Sequence, residues 1–401
     1  MKFCISFGKI ELKYFFYCFL SVILYIYIYY FIVDSKENNI INEHELLYSF
    51  CYYLGYLLNF IPVWIIQIKP KKEEGPKNNK MKERETQSSH SIEYIYSNPY
   101  DKNLSKKNIL KFLFMCFILL LIDLIESTLN IIDKRKKDKD NNNENKNESQ
   151  VYNDDFNIIE FLIIFLVSKC DKEVYYKHQN ISFLILIVVE SIKNIYIFIK
   201  KEVQKDYDIS NIMETILVLL KSILYAIFYL YIKGLMKYNY ISPAKCNFMI
   251  GFITVPIIII IYIIISLTPL REIIDNIFAL FIEENINAKN ITFLITLPFA
   301  YLILLFVLNK IIYEYTIYHF YIPILIEYFV QNIFKNLESI ERIILISSFF
   351  FELIMILIFV EIIEINYCGL NENLKRNIEL RGLSDSISLN NELNNDDDFD
   401  E

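Results

Sequence analysis

At 401 residues, 54% hydrophobic and only 22% charged, the chain holds more apolar material than one soluble core needs, and it gathers that material in blocks. Most of the formal charge of -8 comes from residues 369–401, which hold nine Asp/Glu against three Lys/Arg; the remainder is nearly balanced and offers no basic patch for nucleic acid. The seven cysteines include no CxxC pair and the seven glycines form no phosphate-cradling loop, which argues against a zinc site, a disulfide frame and a nucleotide-binding loop.

Ten apolar runs approach the roughly 20 residues that a helix needs to cross the hydrocarbon core. They cover residues 14–33, 46–68, 109–132, 156–170, 181–199, 212–236, 246–267, 291–316, 317–334 and 343–365. Because the runs are continuously apolar rather than alternating, they predict helices and not barrel strands. The fold class is therefore all-α, a polytopic membrane protein of about ten crossings. The run at 156–170 is short, and 291–316 is divided from 317–334 only by the segment around Thr316 and Phe320, so nine crossings is the alternative count. The run at 14–33 is longer than a signal-peptide core and lacks a small-residue cleavage site, which predicts a retained first crossing. Between residues 270 and 286, apolar positions recur at helical spacing among Arg271, Asp275, Glu283 and Glu284, as in a helix lying along the membrane surface. Polar, low-complexity composition predicts disordered loops at 70–107 and 133–155 and a disordered acidic tail at 366–401.

Basic residues stay cytoplasmic at short loops. Lys2, Lys9 and Lys13 in the N-terminal segment 1–13, the loop 70–107, Lys233, Lys237 and Lys245, and Lys375, Arg376 and Arg381 all fall on one side when the number of crossings is even. The first half then covers 14–199 and the second 200–365. Of four Asn-X-Ser/Thr sequons, Asn147 lies well clear of a membrane edge on the expected outer face, which makes it the glycosylation candidate.

Corresponding crossings share an ordered set of residues. Leu54-Gly55-Tyr56 followed by Pro62 parallels Ile250-Gly251-Phe252 followed by Pro256, and Ile159-Glu160-Phe161 parallels Ile326-Glu327-Tyr328. With ten crossings and both ends inside, this pattern resembles the drug/metabolite transporter superfamily, which includes the nucleotide-sugar transporters. The resemblance covers residues 14–365 and implies two inverted five-helix repeats that rock about a central cavity. The family has few strict residue motifs, so the resemblance is architectural and implies no particular binding residue; the long loop before the fourth crossing departs from its usual short connection.

Charged side chains inside a crossing are costly unless paired or facing water, so each is a candidate. Lys221 stands near the middle of the sixth run with no acid three or four residues away, and Glu214 lies two turns off on the same face. Asp123 in the third run is an expected partner across the bundle. Glu190 and Lys193 lie one turn apart, either as a self-neutralising pair or as part of a solute path. Glu126, Glu361 and Glu364 read as boundary residues. Pro62, Pro256, Pro298 and Pro323 are candidate kinks, with an ordinary packing role as the alternative. Ile, Tyr, Phe, Asn and Lys crowd the sequence as in an AT-rich genome, so individual Tyr and Asn residues carry little weight. None of His44, His90, His178 and His319 has a metal-spaced partner, and no nucleophile elbow or other enzyme motif occurs.

These features predict a secondary transporter of a small polar metabolite, working by alternating access, with Lys221, Lys193, Glu190, Glu214 and Asp123 along its path. Cationic Lys221 favours an anion such as a nucleotide sugar or sugar phosphate. A non-transporting scaffold or receptor-like protein, recruiting partners through its loops and tail, is the alternative. The expected partners are the lipid bilayer and a small-molecule substrate; a homodimer is compatible, and nucleic acid, metal and cofactor are not expected. The expected location is an endomembrane (ER or Golgi) or the plasma membrane.

Overall fold

The computed structural model describes residues 4–7, 12–37, 45–68, 106–141, 158–170, 175–203, 209–238, 241–267, 288–333 and 339–366. In chain order the described elements are β1 (Cys4–Phe7), α1 (Leu12–Glu37), α2 (Glu45–Leu58), α3 (Phe60–Ile68), α4 (Lys106–Asn141), α5 (Ile158–Cys170), α6 (Lys177–Val203), α7 (Ile209–Tyr238), α8 (Pro243–Ser266), α9 (Ala288–Glu314), α10 (Tyr321–Ile333), α11 (Ser339–Phe359) and β2 (Ile363–Asn366). The predicted surface helix at 270–286, most of the loop at 70–107 and the acidic tail beyond residue 366 lie outside the described residues.

Six of the described helices, α1, α4, α7, α8, α9 and α11, are long and apolar enough to cross a membrane. Their outward faces are apolar too, as lipid requires and water does not. On α1 the exposed Phe16, Phe19, Ile23, Tyr27 and Tyr30 follow a three-four spacing along one stripe. On α4 the stripe Phe112, Met115, Leu119 and Ile122 is buried while Leu110, Phe117 and Leu124 are exposed. The chain is an integral, multi-pass, mainly helical membrane protein. At 13 residues each, α5 and α10 rise only about 20 Å, short of the roughly 30 Å hydrocarbon core.

Three boundaries differ from the sequence expectation. The run at 46–68 is two helices, divided one turn before Pro62, which has no amide to donate to the Leu58 carbonyl. The chain breaks at Asn59, whose side-chain amide donates to the Gly55 carbonyl at 3.0 Å and so satisfies an acceptor at the break. The loop predicted from residue 133 begins as helix instead, since α4 continues to Asn141; no Gly or Pro interrupts it, and oppositely charged residues such as Asp133 and Lys137 recur at helical spacing. The last run does not reach residue 365 as helix. Glu361 takes a left-handed φ of 63°, its amide bonds the Ile358 carbonyl at 3.2 Å, and the Ile362 amide bonds the Leu357 carbonyl at 2.9 Å. That pair of bonds is the Schellman ending of a helix, normally built on glycine.

Two compact units divide the chain, each drawing on both sequence halves. One comprises residues 1–15, 165–206 and 335–401. Here α6 packs on α11 through buried stripes that include Phe183, Leu186, Glu190 and Lys193 on α6 and Leu345, Phe349, Glu352 and Ile356 on α11. Phe165 stacks on Phe183 at 3.9 Å between ring centres and meets Phe359 edge-on at 5.8 Å. In the same unit β1 pairs antiparallel with β2, Cys4 opposite Asn366 and Phe7 opposite Ile363, a small sheet that the all-helical expectation did not include.

The other unit comprises residues 16–164 and 207–334. Its centre is α2, which packs against both α8 and α9, while α4 packs against α7. Glycines set these approaches. A Cβ on Gly251 would lie 2.2 Å from the Leu57 nitrogen, and one on Gly55 would lie 2.5 Å from the Tyr301 Cβ; close backbone approach at small residues is the usual way helices associate in lipid. Beside these crossings runs a chain of buried amides. Asn309 donates to Asn247, and Asn247 donates to Asn59 at 3.3 Å, so that α9, α8 and the α2–α3 break are joined by side chains that meet no water.

Candidate functional site

The unit built on α2 carries a polar interior assembled from one face each of several helices. On α7, Lys221, Tyr225 and Tyr229 are spaced by four and form a single stripe. On α2, Tyr52 and Tyr56 are likewise four apart, with hydroxyls 3.2 Å from each other. On α4, Asp123 and Glu126 are three apart. These stripes meet: the Lys221 ammonium lies 3.5 Å from Glu126 Oε1 and 6.0 Å from the centre of the Tyr225 ring, and Asp123 acts electrostatically on Tyr52 and Lys221.

Glu160 of α5 enters from another direction. Its carboxyl is 5% exposed, lies against the Tyr321 hydroxyl and acts electrostatically on Lys221, Tyr25, Tyr225 and Tyr229. Its Oε1 carries no hydrogen bond, and neither does the Tyr53 hydroxyl, fully buried and facing Asp123. Tyr301 of α9 closes on Tyr52 edge to face, 5.3 Å between ring centres. Tyr25 of α1 is influenced by Glu327 as well as by Glu160, and Glu327 is held by a hydrogen bond from the Gln331 amide. Tyr25, Tyr52, Tyr225, Tyr229, Tyr301 and Lys221 keep partial accessibility although other side chains surround them. Together these side chains form a polar cluster between the helices, and in lipid such groups belong beside water or a ligand.

Of the predicted path residues, Lys221 and Asp123 are brought together here. The nearest carboxylate to Lys221 is that of Glu126, however, which the sequence placed at the boundary; one extra turn of α4 separates it from Asp123 and directs it at α7. Glu190 and Lys193 belong to the other unit, where they pair with each other at 3.2 Å on the buried stripe of α6, the self-neutralising alternative. The Glu214 side chain and the Asn147 sequon lie outside what is described. Pro62 lies in the first turn of α3, just past the break, Pro256 and Pro298 lie inside α8 and α9, and Pro323 sits in the first turn of α10, where a missing amide costs nothing.

Tyrosine and asparagine, the types that the composition discounts, supply much of the site: Tyr25, Tyr52, Tyr225 and Tyr229 stand in the polar cluster, and Asn59, Asn247 and Asn309 lock its flank. The sequence marks Glu160 only as a matched repeat position, and Glu327 both as its match and as a charge inside the ninth run. In the first unit, His178 is also buried and lies 3.4 Å from Glu361, beside the helix ending described above. Among the described residues no group of His, Cys, Asp and Glu could hold a metal ion. No protein-family model, curated protein or solved structure matches the chain.

Proposed function

We propose that the protein is a carrier that moves a small polar solute across a membrane by alternating access, with the tyrosine-rich polar cluster as its solute site. The observation that carries this reading is the polar cluster: ionisable side chains from α4, α5 and α7 converge inside a bundle whose outer faces are apolar, an expensive arrangement in lipid unless something polar passes or binds there. The ten-crossing, two-repeat arrangement is part of the proposal. Gly55 and Gly251, at matched positions, both stand where helices approach to near backbone contact, and the matched Glu160 and Glu327 both act on Tyr25. The β1–β2 pairing, which joins the segment before α1 to the segment after α11, supports an even number of crossings.

The test is reconstitution of the full chain into proteoliposomes loaded or bathed with a mixed metabolite pool, with retained solutes identified by mass spectrometry. A carrier accumulates at least one solute above protein-free vesicles and exchanges it faster when the same solute is present on the far side. Lys221→Ala and Asp123→Asn, at equal insertion, lower that flux at least tenfold. If no solute is retained above protein-free vesicles, the carrier reading falls.

A further inference from the structure

We infer that the cluster takes a small organic cation, and that the Lys221 ammonium is its tethered stand-in, occupying the cation's place on the carboxylates when the site is empty of solute. This rests on the reading of the cluster as a solute site and replaces the anion that Lys221 alone favours. Three acidic side chains, Asp123, Glu126 and Glu160, act on one ammonium among the described residues, Glu126 at 3.5 Å, so the cluster holds more acids than Lys221 can pair.

Two observations independent of the count point the same way. Glu160 is nine-tenths buried, yet its Oε1 has no hydrogen-bond partner. Leaving a buried acceptor unsatisfied costs about 1–3 kcal/mol, more for a charged group, and a donor arriving with the solute removes that cost. The cluster is aromatic as well, and a cation over a tyrosine face is stabilised by about 0.5–2 kcal/mol, the larger figure applying where water is excluded. Lys221 already samples this chemistry, with its ammonium 6.0 Å from the Tyr225 ring centre and 3.5 Å from Glu126. Glu126 is half exposed at 48%, so the Lys221 pair is the part of the cluster most open to exchange. A phosphate or carboxylate solute, by contrast, would meet the acids of the same cluster to gain a single ammonium already engaged by Glu126.

The exchange model makes opposite demands on two residues, which separates it from a structural role. Equilibrium binding of radiolabelled methylammonium, whose N–H groups can donate to Glu160, to the purified full-length protein is compared with binding of uridine diphosphate and inorganic phosphate, each variant being checked for monodisperse elution. The wild type binds methylammonium saturably and the anions not. Glu160→Gln weakens that binding at least tenfold, Tyr225→Leu weakens it several-fold while Tyr225→Phe, which keeps the ring face, does not, and Lys221→Met tightens it several-fold by removing the competitor. Absence of saturable methylammonium binding, indifference to Glu160→Gln, or weaker binding in Lys221→Met overturns the inference. Saturable anion binding lost in Lys221→Met also overturns it, and leaves the carrier reading standing. Cation binding with the predicted variant pattern but no solute flux in proteoliposomes supports the site and removes the carrier.

Discussion

Gly251 offers the sharpest test of the packing around the polar cluster. In Gly251→Ala the new methyl carbon would lie 2.2 Å from the Leu57 nitrogen and 2.6 Å from the Leu57 Cα and the Tyr56 carbonyl carbon, where ordinary contact begins at 3.4 Å. All three atoms are backbone, so no rotamer change relieves the clash, and α8 must move from α2 by about 1 Å. Overpacking of this kind costs about 1–3 kcal/mol, with rigid surroundings at the upper end, whereas replacing a helical glycine by alanine returns at most about 1 kcal/mol of helix propensity. The net expectation is a loss of about 2 kcal/mol. Gly234 supplies the control, since a Cβ there meets nothing within 4 Å, and Gly234→Ala is expected to be neutral or stabilising by up to about 1 kcal/mol. Thermal unfolding of the purified protein in detergent, followed by loss of the monodisperse elution peak, reads both. At about 1 °C per kcal/mol for a chain of 401 residues, from an unfolding entropy of about 2.1 cal/mol/K per residue, Gly251→Ala melts about 2 °C below the wild type. If Gly251→Ala and Gly234→Ala melt together, α2 and α8 do not approach as described, and the position of the Tyr52 and Tyr56 stripe is wrong with them.

Asn247→Leu removes the middle of the amide chain and strands groups on Asn59 and Asn309; interhelical hydrogen bonds in bilayers average about 0.6 kcal/mol and reach about 1.7 kcal/mol, so a loss of about 1–2 kcal/mol is expected. The double variant Asn247→Leu with Asn309→Leu loses less than the sum of the two single ones, as a thermal double-mutant cycle would register. At the end of α11, Glu361→Gly is more stable than Glu361→Ala by about 1 kcal/mol, because both lose the carboxylate near His178 and only alanine retains the left-handed penalty; equal melting temperatures would remove the Schellman ending. For the β1–β2 pairing, Asn366→Cys in a Cys368→Ser background forms a disulfide with Cys4 under mild oxidation, and a further Cys4→Ser change abolishes it. Lack of the crosslink would undo this argument for an even number of crossings. In microsomes the Asn147 sequon is glycosylated and Asn147→Gln is not, while sequons inserted near residues 90 and 390 stay bare; a glycan at either inserted site breaks the topology.

Helices were the legible part of this sequence because their signal is cumulative. Twenty apolar residues in a row survive any bias in which apolar residue is used, and each of the ten predicted runs coincides with a helix or, at Asn59, with two. What blurred was the ends. The sequence offers no glycine after α11 to mark its stop, since Glu361 takes the left-handed position that glycine usually fills. Nor does it offer a breaker after residue 132, where a charged run that reads as solvent-loving is also a good helix former. Residues 4–7 gave no strand signal, because a four-residue strand is defined by its partner, and that partner lies some 360 positions away in the chain.

The site was legible only where charge made it so. Lys221 and Asp123 stand out in any composition, since an ion inside an apolar run demands an explanation wherever the run lies. Tyrosine does not, in a chain with 31 of them, and type alone could not separate the cluster's tyrosines from the lipid-facing Tyr27 and Tyr30. Register relative to a charge could have. Tyr225 and Tyr229 continue the stripe begun by Lys221 at intervals of four, and a face that carries a lysine in a membrane helix cannot face lipid; its tyrosines are then interior as well. The same test applied to α4 extends the face of Asp123 to Glu126 at an interval of three, and would have moved Glu126 from the boundary into the cluster. For Glu160 no such rule serves, because α5 is short and the acid stands alone on it. Its role emerges only when Tyr321, Tyr25 and Lys221 arrive from three other helices and leave one buried oxygen without a donor.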